Sequence, residues 1–143
     1  MFFSKSCEYA LRATLFLAKN DDRKKIGVQH IAEELNVPMH YLNKVMQTLV
    51  KNNIVSSSKG RNGGFYLTDE EINLPLINVV HAIDGKDVFD QCGLGLKECS
   101  NEHPCPLHDD IKAYRENLKL ALSENSIEVL SEGVSNGKTF LAR

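Results

Sequence analysis

Apolar residues recur at steps of three and four along much of the chain, which is the spacing of one face of an α-helix. In the first segment this stripe consists of Cys7, Ala10, Leu11, Thr14, Leu15 and Ala18. The polar stretch 20–25 then interrupts it. The pattern predicts helices at residues 4–18, 27–35, 39–52, 76–83, 105–123 and 127–134.

Only three residues, Asn36, Val37 and Pro38, separate the second and third predicted helices. Asn tolerates the left-handed conformation that ends a helix, and Pro is favoured in the first turn of the next one. The small residue Ala32 lies where the two helices must approach each other. This arrangement predicts a helix-turn-helix unit.

Two short strands are predicted next, at residues 54–57 and 64–67, because β-branched and aromatic residues are concentrated there. The connection between them, Ser-Lys-Gly-Arg-Asn-Gly-Gly at 58–64, is basic and rich in glycine, as expected of a hairpin loop. The sequence therefore predicts a mainly α fold, namely a winged helix-turn-helix with a small two-stranded wing.

Residues 88–104 show no periodicity, and a loop of that length inside a compact domain usually has a function or is disordered. The helix predicted after it repeats apolar residues in heptad steps, which suits pairing with a second helix. This seam consists of Leu107, Ile111, Tyr114, Leu118 and Ala121. Its charged flanks are Asp109, Asp110, Lys112, Arg115, Glu116 and Lys119.

Net charge differs between the predicted winged helix-turn-helix and the rest of the chain. The formal charge of −2 over 143 residues consists of +5 over residues 1–67 and −7 over residues 68–143. A basic part joined to an acidic part indicates that only the first binds a polyanion, although uneven surface charge alone gives the same sums. We expect a DNA-binding domain at 1–68, a connector helix with a cysteine-bearing loop at 69–104, and a dimerisation helix with a C-terminal helix at 105–143.

Composition excludes several classes of protein. With 42% hydrophobic and 25% charged residues, the chain is neither disordered nor fibrous. Its apolar runs are far shorter than the ~20 residues that cross a bilayer, and its N-terminus lacks the features of a secretory signal. We therefore expect a soluble, cytoplasmic protein without membrane association, in which four cysteines do not form two structural disulfides.

The N-terminal part of the third helix is predicted to read DNA, because such helices enter the major groove with their first residues at the base edges. The candidate contacts are Met39, His40, Tyr41, Asn43 and Lys44, with Lys59 and Arg61 from the wing. Asn can bind an adenine edge, and a basic residue on a thin hairpin can enter the minor groove. Alternatively, Tyr41 packs on the core and the basic residues are ordinary solvated side chains.

Three cysteines, Cys92, Cys99 and Cys105, lie in or next to the loop, and His108 follows the last by three residues. Thiolates select iron–sulfur clusters, zinc or copper(I). Zinc sites usually have closer ligand pairs, and a metal-free redox switch stays a further alternative. A cluster normally needs four ligands, so His108 and Glu8 are candidates for the fourth. Cys7 lies on the apolar face of the first helix, where core packing is the default.

Enzymatic function is not indicated. The sequence shows no nucleophile–base pair, phosphate loop or paired carboxylates, and the wing glycines lack the strand–loop–helix context of a nucleotide fingerprint. A winged helix that binds protein instead of DNA is the remaining alternative of another class.

The chain resembles the Rrf/BadM family of winged-helix regulators, which includes the iron–sulfur regulators of the IscR and NsrR types. The resemblance spans essentially the whole chain. It is carried by residues 7–13 (CEYALRA), the helix-turn-helix with Tyr41-Leu42, the wing 59–65 (KGRNGGF), residues 81–85 (HAIDG) and the three-cysteine loop. The wing together with the cysteine trio is the specific part of this combination.

The resemblance implies a homodimer on a palindromic operator, acting as repressor or activator, with a long C-terminal helix that crosses to the partner. Cys92, Cys99 and Cys105 match the cluster cysteines. His108 matches the histidine ligand of the 2Fe–2S site in IscR-like members. Glu8 matches the acidic ligand that NsrR-like members take from the other subunit for a 4Fe–4S cluster.

His40 and Asn43 fall on base-contacting positions of the family's recognition helix, and Lys59 stands where IscR-like members have a minor-groove arginine. The first cysteine gap is one residue longer than in IscR-like members. The leading hypothesis is thus a transcription factor that senses nitric oxide, redox state or iron–sulfur supply through a cluster. The rival is a cluster-free regulator controlled by cysteine oxidation or by a protein partner.

Overall fold

The computed structural model describes residues 2–19 and 23–143. Met1 and positions 20–22 of the predicted polar connector lie outside the described residues. The helices are α1 (Lys5–Ala18), α2 (Val28–Leu35), α3 (Met39–Lys51), α4 (Ile77–Asp84), α5 (His108–Glu124) and α6 (Ile127–Ser135), and the strands are β1 (Ser56–Ser58) and β2 (Gly64–Tyr66). Short 3₁₀ turns occur at Glu71–Asn73 and Lys86–Phe89. The mainly helical class and the two-stranded wing are confirmed.

Helix α1 is the centre of the core, because α2, α3, α4 and α6 all pack on it. Its small residues Cys7, Ala10 and Ala13 are completely buried, which lets the neighbouring helices approach closely. Ser4 caps its start: Ser4 Oγ accepts from Cys7 N at 3.1 Å, while Ser4 N donates to Asp84 Oδ2 at 2.8 Å. The N-terminus of α1 is thereby joined to the end of α4.

The helix-turn-helix forms as predicted. Asn36 adopts the left-handed conformation, with φ 54° and ψ 52°, and Val37 N donates to the Ala32 carbonyl at 3.0 Å to end α2. Ala32 is buried at the helix contact. The turn therefore fixes the angle at which α3 leaves α2, and with it the position of the exposed face of α3.

The wing is an antiparallel pair in which Ser57 lies opposite Phe65. Ile26 adds an isolated bridge on the far side of Phe65, with N–H···O distances of 2.9 and 2.8 Å. Gly64 sits at φ 148°, and a Cβ there would lie 2.7 Å from the Ile26 carbonyl group. Only glycine permits this close approach of the two backbones.

Helix α5 differs from its prediction in two ways. It begins at His108 rather than Cys105, because residues 99–107 follow an irregular path. Its heptad seam is also divided: Ile111 and Leu118 are partly buried within the chain, whereas Leu107, Tyr114 and Ala121 are exposed. The three exposed positions are seven residues apart and form one line along the helix.

The end of α5 is anchored to the segment before α4. Leu76 N donates to the Asn125 carbonyl and Ile127 N donates to the Leu74 carbonyl, both at 3.0 Å. Ser126 then caps α6, accepting from Val129 N at 3.2 Å. Among the described residues, no helix has the length and apolar character needed to cross a membrane.

Candidate nucleic-acid interface and cysteine site

Helix α3 has a buried side and an exposed side, as expected of a recognition helix. Leu42, Val45, Met46 and Leu49 are buried against the core. The predicted DNA contacts lie on the other side, where Met39, His40, Asn43 and Lys44 are all exposed. The core residues thus hold the backbone of α3 still while its polar side chains stay accessible.

Tyr41 packs on helix α1 and is also partly exposed. Its hydroxyl group is 2.8 Å from Ser6 Oγ, and its ring meets the Tyr9 ring edge-on with centroids 5.5 Å apart. Tyr41 is nonetheless 44% exposed. It therefore links α3 to the start of α1 and still presents part of its surface beside the other candidate contacts.

The wing presents Lys59 and Arg61 at its tip, and both are exposed. A basic residue that the sequence analysis treated only as part of a polar connector, Lys25, lies against the same hairpin. Its Nζ donates to Ser58 Oγ at 3.2 Å and lies 5.7 Å from the centre of the Tyr66 ring. No signal in the sequence indicated this contact, because the bridge that brings Ile26 and Lys25 to the wing is seen only in the structure.

A buried carboxylate anchors the base of the wing. Glu71 accepts from Ser56 Oγ at 2.8 Å and from Thr68 N at 2.9 Å, although it is only 9% exposed. Buried charges need such hydrogen bonds to offset their loss of hydration. These contacts join β1 to the segment that leads into α4.

In the cysteine segment, defined here as residues 92–108, Cys99 and His108 are in direct contact. The distance from Cys99 Sγ to His108 Nδ1 is 3.3 Å, and His108 Nε2 is 2.9 Å from Asn101 Oδ1. The imidazole is thus held at both nitrogens, and it is only 7% exposed. Helix α5 begins at His108, and the imidazole ring contacts Cys99, which lies nine residues earlier in the chain.

Cys92 and Cys105 form a second pair, because the Cys105 side chain is one of the groups that lower the pKa of the Cys92 thiol. The backbone N–H groups of Leu94 and Leu96 point at the Cys92 sulfur, and these hydrogen bonds lower the pKa of its thiol. Amides aimed at a sulfur stabilise its negatively charged form. This cradle suits a thiolate, whether free or bound to a metal.

The loop lies directly on α5. A Cβ added at Gly93 would come within 2.8 Å of the Ile111 side chain. Phe2, Cys92, Ile111 and Tyr114 line a cavity of about 340 Å³ at this contact. Any rearrangement of the loop therefore acts on the helix predicted to pair with a second subunit.

Among the described residues, neither Glu8 nor Cys7 forms a hydrogen bond or an ion pair with the cysteine segment. Glu8 forms an ion pair with Lys5 at 3.1 Å on the first turn of α1. Cys7 is completely buried, and burial together with the nearby Asp84 raises the pKa of its thiol to about 12. Core packing therefore accounts for Cys7, as expected.

The four donors of the cysteine segment thus stand as two pairs, Cys99 with His108 and Cys92 with Cys105. Within the described ranges, no group of three or more His, Cys, Asp or Glu side chains is placed to hold one metal ion. Three thiols and an imidazole are nevertheless the donor types that iron–sulfur clusters take. The amide cradle at Cys92 fits the same chemistry, so the residues present suit such a group after the two pairs converge.

Arg115, which the sequence analysis placed among the charged flanks of the α5 seam, is buried. Its Nη2 donates to Cys99 Sγ at 3.1 Å, and its Nη1 donates to the Gln91 carbonyl. Together with Cys99 and His108 it lines a cavity of about 230 Å³. The seven-residue spacing of His108 and Arg115, two helical turns, was the one sequence signal that put both on the same face.

Comparison with known sequences adds a family to this geometry. The family model described as "Rrf2: Iron-dependent Transcriptional regulator" matches residues 3–133. The chain is 34% identical over 110 residues to an HTH-type transcriptional regulator of Aquifex aeolicus, covering 76% of each chain. It is 28% identical over 145 residues to the HTH-type transcriptional regulator NsrR of Oceanobacillus iheyensis, covering 99% of this chain and 95% of that protein.

Two solved structures share the fold. CymR, described as the global cysteine regulator of B. subtilis, superposes with a TM-score of 0.73 at 20% identity, covering 91% of this chain and 95% of that one. IscR of T. potens superposes with a TM-score of 0.69 at 15% identity, covering 96% of this chain and 90% of that one. These likenesses confirm the predicted winged-helix architecture.

Proposed function

Because this chain belongs to the Rrf2 family of iron-dependent transcriptional regulators, we propose that it is a DNA-binding regulator whose cysteine segment holds an iron–sulfur cluster. The family consists of transcriptional regulators rather than enzymes, in agreement with the sequence analysis. The observation that carries the cluster proposal is the contact of Cys99 with His108 at the start of α5, beside the Cys92–Cys105 pair.

DNA binding is assigned to the exposed side of α3 and to the tip of the wing. In this proposal His40, Asn43 and Lys44 enter the major groove, with Met39 and the exposed edge of Tyr41 in apolar contact. Lys59 enters the minor groove, and Arg61 binds phosphate. The support is that all of these side chains are exposed on two neighbouring elements of a basic half of the chain.

A homodimer follows from the exposed line on α5. Leu107 and Tyr114 are 44% and 55% exposed, Ala121 continues their line, and Leu120 beside it is 54% exposed. Burying this line against a second copy removes apolar surface from water. Two copies related by a two-fold axis then read a palindromic operator with half-sites spaced by about 34 Å or a multiple of it.

Cys92, Cys99 and Cys105 would hold the cluster, with His108 as the fourth ligand and Glu8 of a second copy as the alternative. The cluster would supply electron-transfer and ligand-exchange chemistry that thiols alone lack. The protein's own part is to hold Cys99 and His108 against each other and to aim backbone amides at Cys92. Because the loop rests on Ile111, its conformation biases α5 and hence the spacing of the two α3 helices.

The direct test is iron and sulfide analysis with a visible spectrum of protein purified without air. The wild type is expected to be coloured and to contain iron and sulfide. The triple variant Cys92→Ala, Cys99→Ala, Cys105→Ala is expected to be colourless. Cys7→Ala, which removes the thiol outside the segment, is the matched control and should keep the colour; colour in the triple variant would refute the assignment.

The fourth ligand is tested separately by Mössbauer spectroscopy of wild type, His108→Ala and Glu8→Gln. A 2Fe–2S spectrum that changes in His108→Ala alone supports His108. A 4Fe–4S spectrum that changes in Glu8→Gln alone assigns the fourth position to Glu8 instead.

A second candidate function is favoured by the adjacency of Cys92 and Cys105. In a cluster-free protein, a peroxide would oxidise this pair to a disulfide, taking two electrons and two protons and leaving water. Disulfide mapping after peroxide treatment, together with DNA affinity before and after, tests this switch. An iron-free wild type whose DNA affinity changes on Cys92–Cys105 disulfide formation would favour it over the cluster.

A further inference from the structure

The guanidinium group of Arg115 is a buried charge that has no ionic partner among the residues the structure describes. The residue is 6% exposed, and its Nη atoms donate to Cys99 Sγ and to the Gln91 carbonyl. Its Nε is buried and has no hydrogen-bond partner within residues 2–19 and 23–143. Among the described residues it forms no ion pair with a carboxylate.

Such a charge is costly, because arginine stays protonated and buried charges require an opposite charge or a full set of hydrogen bonds. The Gln91 carbonyl oxygen is uncharged and provides neither. Asp90 and Glu116 line the adjacent 230 Å³ cavity, but Lys112 and Lys119 line it as well, so the lining as a whole offers no excess of negative charge. The group in direct contact that can become negative is the sulfur of Cys99.

We propose that Arg115 is a positioning residue for an anionic thiolate centre at Cys99. It supplies the counter-charge and a hydrogen bond to the sulfur, and through the Gln91 carbonyl it ties that centre to the end of the Lys86–Phe89 turn. This inference rests on the proposed function, because ligation of a metal centre is what keeps Cys99 in its thiolate form.

The proposal has a measurable consequence for the cluster. Hydrogen bonds to the sulfurs and nearby positive charge stabilise the more negative, reduced form, so they raise the reduction potential. Loss of the Arg115 contact should make one-electron reduction about tenfold less favourable, since charge-assisted hydrogen bonds have about that strength. For a one-electron couple a tenfold change corresponds to about 59 mV.

The experiment is an anaerobic redox titration of the full chain, followed by visible absorbance, in wild type, Arg115→Gln, Arg115→Lys and Lys119→Gln. Lys119 is the matched control, because it is an exposed cation that lines the same cavity and has no hydrogen bond to Cys99 among the described contacts. In Arg115→Gln the reduction potential is expected to fall by the amount that makes the equilibrium constant for reduction about tenfold smaller. Arg115→Lys should lower the potential less, and Lys119→Gln should leave it unchanged.

Equal potentials in wild type and both Arg115 variants would overturn the inference and leave the cluster proposal standing. Equal shifts in Arg115→Gln and Lys119→Gln would also overturn it, because general charge would then explain the effect. If Arg115→Gln does not fold, as judged by circular dichroism, Arg115→Lys decides: a lowered potential supports the role and an unchanged one refutes it. A wild type that takes up no iron refutes the proposed function and this inference together.

Discussion

The burial of leucine side chains differs between the helix-turn-helix and the cysteine segment. In the helix-turn-helix, Leu42 and Leu49 are completely buried, whereas in the cysteine segment Leu94 and Leu96 are 50% and 55% exposed. The first region is held together by apolar packing around α1. The second is held by polar contacts that Arg115 and His108 make from α5. The helix-turn-helix is therefore conformationally rigid. The cysteine segment, which is proposed to sense a signal, can rearrange without unfolding the core.

Thiol reactivity should show the largest difference between the regions. The thiol of Cys7, with its pKa raised from 9.0 to about 12 by burial, has about a thousandth of the thiolate of an ordinary cysteine at pH 8. Amide hydrogen bonds lower the pKa of Cys92. Alkylation of iron-free protein with iodoacetamide, followed by mass spectrometry, should modify Cys92 first and Cys7 last.

Raising the pH toward 12 should reduce the difference in alkylation rate between Cys92 and Cys7, because the Cys7 thiol then begins to ionise. Denaturation in guanidinium should abolish it, since both thiols then have the same surroundings. Fast modification of Cys7 in the folded protein at pH 8 would mean that α1 is not the closed centre of the core.

Truncating one leucine in each region should have the next largest effect. Leu42→Ala should lower the free energy of unfolding by about 2–5 kcal/mol, because it removes buried methyl groups and leaves a cavity. Leu94→Ala, the matched change in the cysteine segment, should alter it by less than about 0.5 kcal/mol. Urea denaturation followed by circular dichroism measures both, and equal losses would remove the contrast between the regions.

The helix-turn-helix and wing could be predicted from sequence because their signals are local. The capping role of Asn36 and the small Ala32 each act within a few residues, and the glycine-rich connection at 58–64 acts within one hairpin. The predicted limits of α3 were within one residue of the observed ones. Periodicity suffices wherever a helix buries a single apolar face.

The cysteine segment could be predicted in composition but not in geometry. Its donors are brought together by polar contacts across the fold, and the contact of Arg115 with Gln91 spans 24 residues. The seven-residue spacing of His108 and Arg115 indicates a shared helix face but not burial, and charged residues are seldom buried, so the burial of Arg115 was not predicted. The start of α5 was misplaced for a related reason, since Cys105 and Pro106 are shaped by the loop rather than by helical periodicity.

A smaller loss of stability is expected at the base of the wing. Gly64→Ala should cost about 1–3 kcal/mol, because it forces a side chain into a positive-φ conformation against the Ile26 backbone. Gly27→Ala is the control, since a Cβ there meets none of the described atoms within 4 Å, and the loss of Gly at this N-cap should cost less than about 1 kcal/mol. Thermal unfolding compares the two variants, and an unchanged Gly64→Ala would indicate that β2 does not lie against Ile26.

The smallest effect concerns charge at the DNA surface. Lys59→Ala should weaken operator binding by about tenfold and reduce the dependence of log affinity on log salt by about one per wing, because fewer counterions are released. Lys97→Ala removes an equally exposed lysine from the cysteine segment and should change neither quantity. Fluorescence anisotropy at several salt concentrations tests both variants. An equal loss of affinity in Lys97→Ala would contradict the assignment of DNA binding to the wing.

Two backbone hydrogen bonds fix the junction of α5 and α6 to residues 74–76, so α5 can tilt as a rigid body about its C-terminal end. Its 17 residues extend about 25 Å from that pivot to His108, so each degree of rotation moves the far end by about 0.4 Å. A tilt of only a few degrees therefore accommodates an ångström-scale adjustment around Cys99, and a rigid rod of this length transmits the same tilt to whatever rests along its exposed line.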